Sequence, residues 1–102
     1  VNGGDSVTSI SLKDTENNTK EKLKADALFV AIGHTPNVAF LGDLLVLDEK
    51  GYIKTGFTTQ TSTSVDGIFA SGDVADSIYR QAITAAGTGC QAAMDAERWL
   101  ES

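Results

Sequence analysis

Along Val7–Leu12, Thr8, Ile10 and Leu12 alternate with Ser9 and Ser11, a period of two that predicts a half-buried strand. Asp14–Lys20 is polar and Asn-rich and predicts an exposed turn. A second strand is expected over Leu23–Ile32. Its end, Ala27-Leu28-Phe29-Val30-Ala31-Ile32, is continuously apolar, which suits a strand buried on both faces of a parallel sheet. Gly33 stops that run, and Thr35-Pro36 reads as the N-cap and first position of a short helix closed by Gly42. Leu44–Leu47 and Gly51–Lys54 flank Asp48-Glu49-Lys50, a hairpin in which Gly51 can take a positive φ. Phe57–Ser64, rich in Thr and Ser, is expected to be extended and partly exposed.

The last helix is the clearest element. Arg80–Leu100 is Ala-rich and lacks Pro, and at ~1.5 Å per residue it would run about 30 Å. Thr84, Thr88, Gln91, Asp95 and Arg98 fall on one narrow stripe, while almost everything else is small or apolar. That pattern predicts a helix with most of its circumference buried and the stripe in solvent. Gly87 and Gly89 each cost roughly 1 kcal/mol relative to Ala in a helix, so they predict a surface that packs very close.

Composition bounds the function more than it identifies it. A chain of 102 residues holds one domain at most. The net charge of −6 argues against nucleic acid or an anionic membrane as partner, because no basic stripe is evident to neutralise phosphates. The eight Lys and Arg are scattered, apart from Lys20, Lys22 and Lys24. No apolar stretch approaches the ~18 residues of a membrane span, and no signal-peptide pattern opens the chain. One cysteine excludes an internal disulfide and fits a reducing, cytoplasmic location. The opening Val1-Asn2-Gly3-Gly4, with no initiator Met, reads as a piece of something longer.

The chemistry concentrates in Ile68–Val74 and the segment running on to Ala82. A short apolar run ends at Gly72-Asp73, a brief polar loop crosses to Tyr79-Arg80-Gln81-Ala82, and a helix begins. Strand, Gly, acid and helix together form the cofactor edge of many α/β proteins. Gly72 lets a ligand approach the backbone, and Asp73 offers acceptors to sugar or ribityl hydroxyls. The unpaired amides and positive dipole of the helix N-terminus would favour the negative edge of a reduced flavin. A plain turn at Asp73 and a solvated Arg80 would produce the same pattern. Cys90, mid-helix among small residues, reads as a buried structural thiol rather than a reactive one. His34 reads as an ordinary loop histidine and Trp99 as a packing or dimer contact.

Residues 63–100 resemble the C-terminal flavin-binding segment of low-molecular-weight thioredoxin reductases, which belong to the flavoprotein disulfide reductases. The matching motifs are Gly72-Asp73, Tyr79-Arg80-Gln81-Ala82, Ala86-Gly87-Thr88-Gly89-Cys90 and Asp95-Ala96-Glu97-Arg98. Phe29–Asn37 likewise resembles the Ala-Thr-Gly-x-x-Pro-Asn element of those reductases, with Ile32 in place of Thr. The resemblance implies an α/β fold: an incomplete, three-layer Rossmann-like FAD/NAD(P)-binding unit. Residues 1–28 would be the tail of an NADPH domain, and residues 29–102 the second segment of a discontinuous FAD domain ending in the long helix. It implies that Asp73 binds the ribityl chain, that Val74 backbone lies near the pyrophosphate beside Gly72, and that Arg80, Gln81 and Ala82 contact the flavin. FAD and NADPH are the implied cofactors, the NADPH site lying mostly outside this chain. Thioredoxin is the implied partner, and a homodimer the implied assembly.

Neither Gly-x-Gly-x-x-Gly nor Cys-x-x-Cys occurs, so no catalytic or metal-ligating residue is expected here. The chain alone should neither hold FAD tightly nor reduce thioredoxin. A related flavoprotein reductase, or a non-catalytic flavin-binding or interaction module, is the alternative.

Overall fold

The computed structural model describes residues 1–102, which form two compact units, Val1–Gly33 and His34–Ser102. The first is a three-stranded antiparallel sheet in the order β1 (Asn2–Gly3), β2 (Val7–Lys13), β3 (Lys20–Lys24). The turn between β2 and β3 is built by Asp14, whose carboxylate accepts from the amides of Glu16 and Asn17 at 2.7 and 3.3 Å. Lys20, Lys22 and Lys24 pair across the ladder with Lys13, Ser11 and Ser9. Because side chains alternate along a strand, half of the chain's eight basic residues stand on one face of this hairpin. Lys13 thus joins the cluster of Lys20, Lys22 and Lys24 that the sequence sets apart. β3 is an edge strand, and lysines on an edge discourage further strand addition.

The second strand is shorter than its apolar pattern predicts. β3 begins at Lys20 and ends at Lys24, and no ladder continues into Ala27–Ile32. Phe29 and Ile32 are 92% and 94% exposed. An apolar run becomes a strand only where neighbouring strands accept its backbone hydrogen bonds, and this chain supplies none to it.

The second unit has a small core of Leu45, Ile53 and Ala70, with Val38, Leu41, Val65, Ile68, Val74 and Ala75 packed around it. The hairpin forms as expected: Leu47 and Ile53 make an antiparallel bridge and Gly51 sits at φ 87°. The helix expected from Thr35 reduces to a single 3-10 turn, Ala39–Leu41, with Val38 at its N-cap. Gly42 closes it as expected, at φ 53°.

Thr61, Ser62 and Thr63 reverse the expectation of an exposed Thr/Ser stretch, because they are buried to 2–6% exposure. Their backbone pairs with Ile68–Ala70 through Thr63 N–H to Ile68 O (3.0 Å) and Ala70 N–H to Thr61 O (2.9 Å). Every hydroxyl has a partner. Ser62 Oγ accepts from the Thr58 and Thr59 amides at 2.8 Å, and Thr63 Oγ1 donates to Ile68 O at 2.9 Å. A satisfied hydroxyl is buried at little cost, so polarity here does not mean exposure.

Helix α1 spans Ala82–Glu101, and part of its polar stripe turns inward where solvent was expected. Thr88 and Asp95 of the polar stripe face the body of the unit, while Gln91 and Arg98 are exposed. Thr88 Oγ1 accepts from Gly72 N–H at 3.0 Å, and Asp95 Oδ2 accepts from Thr61 Oγ1 and N–H at 2.7 and 3.2 Å. One turn on, Trp99 Nε1 donates to Asp66 Oδ1 at 3.0 Å. The Trp99 ring lies so close to Gly67 (φ 76°) that a Cβ there would come within 2.9 Å of it, so Trp99 is a packing residue. Ile83, Met94 and Leu100 are exposed, and Cys90 with them. The structural thiol expected to be buried is therefore not, because nothing in this chain covers that side of the helix. Gly87 and Gly89 also have open space where a Cβ would project.

Candidate functional site

The site is built on the segment that leaves Ala70 and enters α1. Ala70 is fixed by the hydrogen bond its N–H donates to Thr61 O. Gly72 follows at φ 72°, a left-handed conformation that a Cβ makes costly. A Cβ at Gly72 would have only an ordinary contact, 3.7 Å from Ala85 Cβ, so the backbone angle rather than crowding calls for glycine. Gly72–Ala75 then makes one 3-10 turn. Thr88 on α1 holds the amide that starts it.

Asp76 shapes the loop beyond. Its Oδ1 accepts from the amides of Ile78 and Tyr79, both at 2.9 Å, and its Oδ2 from that of Arg80 at 3.0 Å. The Tyr79 amide, then those of Arg80 and Ile78, hold the Asp76 carboxyl below its ordinary value, with the Arg80 charge adding to them and partial burial opposing. So braced, Arg80 sits at φ 51°, rare for a side chain with a Cβ, and such local strain marks functional loops. Arg80 Nη1 donates to Tyr52 Oη at 3.2 Å. Gln81 caps α1 from an extended conformation, its amide donating to Thr84 Oγ1 at 3.3 Å. The first bond of the helix runs from Ala85 N–H to Gln81 O at 2.9 Å. The amides of Ala82 and Ile83 therefore precede the helical ladder and have no acceptor within it.

Asp73, Val74 and Arg80 line one cavity of about 230 Å³, together with Tyr52 and the loop His34–Asn37. Asp73 is exposed, with its carboxylate available as an acceptor. Gly72 lines a second cavity of about 420 Å³ with Thr84, Gly87 and Thr88. Gln81 and Ala82 line neither; they form the cap and first residue of α1, and the Gln81 side chain turns back to Tyr79 O at 3.3 Å. Three of the six residues singled out from the sequence thus converge on one cavity, and the other three border it along the chain. Sequence reasoning missed Tyr52, Asp76, Thr88 and Asp95. Thr88 and Asp95 were visible as members of the polar stripe. Asp76 carries the signal of an acid placed two to four residues before the amides it caps.

The donor and acceptor set fits a flavin nucleotide. A carboxylate suits ribityl hydroxyls, free amides at a helix start suit an electron-rich ring edge or phosphate, and a half-buried guanidinium supplies positive charge. Among the described residues no cluster of three or more His, Cys, Asp or Glu could hold a metal ion. No helix is long and apolar enough to cross a membrane.

Residues 1–89 match the family model described as pyridine nucleotide-disulphide oxidoreductase. The chain belongs to this family. Among its relatives, the thioredoxin reductase of Dictyostelium discoideum is 54% identical over 102 residues, covering 100% of this chain and 32% of that protein. The thioredoxin reductase of Escherichia coli O157:H7 is 54% identical over 99 residues, covering 93% of this chain and 30% of the relative. The solved thioredoxin reductase from Giardia duodenalis superposes with a TM-score of 0.75 at 46% identity, over 100% of this chain and 33% of that one. The one from Streptococcus pyogenes MGAS5005 gives 0.77 at 29% identity, over 99% and 33%. The chain spans about a third of the length of the relatives it matches. Its fold is thus a partial Rossmann-like piece of the pyridine nucleotide-disulphide oxidoreductase architecture, with the antiparallel sheet and long α1 as its regular elements. The likeness to thioredoxin reductases drawn from the Gly72–Ala82 motifs agrees with these matches.

Proposed function

We propose that this chain provides the flavin-edge half of the FAD site in an NADPH-dependent thioredoxin reductase. The observation that carries this reading is the convergence of Asp73, Val74 and Arg80 on one cavity, in a chain whose relatives bear that name. Bound FAD would supply the two-electron redox chemistry between NADPH and a disulfide. Asp73 accepts hydrogen bonds from ribityl hydroxyls, and the backbone at Gly72 and Val74 faces the pyrophosphate. Arg80, Gln81 and Ala82 set the charge and the free amides at the flavin end. Residues 1–28 belong to the end of an NADPH domain and residues 29–102 to the FAD domain. The NADPH site lies mostly outside this chain, and thioredoxin is the disulfide partner of a cytoplasmic homodimer.

The chain has one cysteine, so it cannot form the intramolecular dithiol that such electron transfer requires. Mixed with FAD, NADPH and oxidised thioredoxin, it should yield no reduced thioredoxin. That same single cysteine favours, as second reading, a non-catalytic flavin-binding module or a segment of a related reductase.

A chimera tests the first reading, with residues 1–102 replacing the matching third of the Dictyostelium discoideum relative. It should purify yellow and reduce thioredoxin with NADPH. In it, Asp73→Ala should weaken FAD binding roughly tenfold, because neutral hydrogen bonds worth about 1–2 kcal/mol are lost. A colourless chimera, folded by circular dichroism, would end the flavin reading.

A further inference from the structure

Tyr52 is among the most buried side chains of the molecule, 4% exposed, yet it carries a hydroxyl and lines the cavity with Asp73, Val74 and Arg80. Its backbone explains its position. The Tyr52 amide donates to Asp48 Oδ1 at 2.9 Å and its carbonyl accepts from Asp48 N–H at 2.7 Å, which closes the hairpin. Neither bond calls for a phenol rather than a phenyl ring.

The hydroxyl oxygen accepts from Arg80 Nη1 at 3.2 Å, and that is its one hydrogen bond in the chain. A phenol can accept and donate at once. Here the accepting side is taken by a cation, which draws electron density from the oxygen and strengthens its O–H as a donor. The donor itself has no acceptor among the side chains and backbone around it. The hydroxyl lines the cavity, so this free donor is open to whatever acceptor enters it, water or ligand. The cavity holds about 230 Å³, and the other groups on its wall include an acceptor carboxylate, Asp73, and a donor cation, Arg80.

We infer that Tyr52 is a ligand-binding residue of this cavity, its O–H donating to an oxygen acceptor of the bound flavin nucleotide while Arg80 fixes the phenol from the other side. This rests on the flavin reading of the cavity. Two acceptors share the chemistry, a carbonyl of the ring system and an oxygen of the pyrophosphate, and riboflavin distinguishes them because it lacks phosphate.

The test is a titration of the full chain with FAD into the millimolar range and with riboflavin up to its solubility limit, followed by nuclear magnetic resonance, for wild type, Tyr52→Phe and Arg80→Gln. Tyr52→Phe should weaken FAD binding about three- to tenfold, with no larger fall in Tm than the loss of the one part-buried bond to Arg80 brings. A parallel loss with riboflavin assigns the acceptor to the ring, and a loss with FAD alone assigns it to the phosphates. Equal affinity of Tyr52→Phe and wild type, with Arg80→Gln weakened, overturns the inference and leaves the flavin reading standing. No binding of either ligand by wild type overturns the inference for this chain, and the colour of the chimera then decides the flavin reading separately. Should Tyr52→Phe fail to fold, wild type labelled at tyrosine Cζ reads the same contact, since only Tyr52 and Tyr79 contribute signals. The Tyr52 signal must then shift on FAD addition, and a static signal at saturation overturns the inference.

Discussion

Replacing Thr88 by Val isolates the bond that ties the Gly72 turn to α1. The substitution keeps the β-branched shape and nearly the same helix propensity, and it removes only the hydroxyl. Wild-type Thr88 Oγ1 donates its hydrogen to Thr84 O or Ala85 O, at 3.1 and 3.2 Å, and accepts from Gly72 N–H at 3.0 Å. The two carbonyls lie in the helix and keep backbone partners, so losing the donor there costs little. The Gly72 amide is part-buried and has no second acceptor. An unsatisfied buried donor costs about 1–3 kcal/mol, and partial burial places this one near 1–1.5 kcal/mol. For a domain of this size that corresponds to a fall of about 4–12 °C in Tm. Thr88→Ser retains the hydroxyl and should stay within about 0.5 kcal/mol of wild type. Thermal melts give the stability, and hydrogen exchange at the Gly72 amide gives the site: its protection should fall in the Val variant and persist in the Ser variant. If Thr88→Ser falls as far as Thr88→Val, the methyl group carries the effect and the hydrogen-bond argument fails.

Side-chain environments set two further outcomes. Asp76 and Asp95 both have carboxyls held below the ordinary 3.8, Asp95 chiefly by the Thr61 hydroxyl. A lowered folded-state pKa contributes stability that is complete above the unfolded value and disappears as pH falls through the folded one. Tm should therefore hold steady from neutral pH towards about pH 5 and fall below about pH 4, less steeply in Asp76→Asn and Asp95→Asn; parallel acid limbs in all three proteins would refute the assignment. Cys90 is exposed on α1, so a thiol reagent should label it in the folded chain at a rate close to that in denaturant, and Cys90→Ala should leave Tm unchanged; strong native protection would contradict the exposure.

Where backbone demands were local, the chain announced them. Gly51 after Asp48-Glu49-Lys50, Gly42 after a short apolar turn and Gly72 before Asp73 all take the positive φ values that such positions need. α1 was legible from its Ala content and lack of proline, but its facing was not. Hydrophobic periodicity assumes that apolar surface turns inward, and here Thr88 and Asp95 turn inward because specific amides and hydroxyls await them. Thr61–Thr63 misled in the same way, each hydroxyl having a partner that a linear pattern does not reveal. Ala27–Ile32 failed for the opposite reason, since strand formation depends on neighbours that the run itself cannot supply. Of the candidate site, the motif from Gly72 to Ala82 was readable. Tyr52, far upstream of that motif, enters the cavity only through folding.

The polar docking of α1 has a mechanical consequence. A helix seated on aliphatic side chains can roll or slide by a fraction of a turn at small cost, because dispersion contacts are numerous and non-directional. α1 is indexed instead by Thr88, Asp95 and Trp99, three directional attachments spread over about 16 Å of its length. A roll by one residue, about 100°, would release all three together, and a smaller roll would bend each away from linearity. The azimuth of Ile83, Cys90 and Met94 is thus fixed from the opposite side of the helix, before anything touches them. Whatever surface comes to lie on those residues meets a template of settled phase, so it need not spend binding energy to orient the helix.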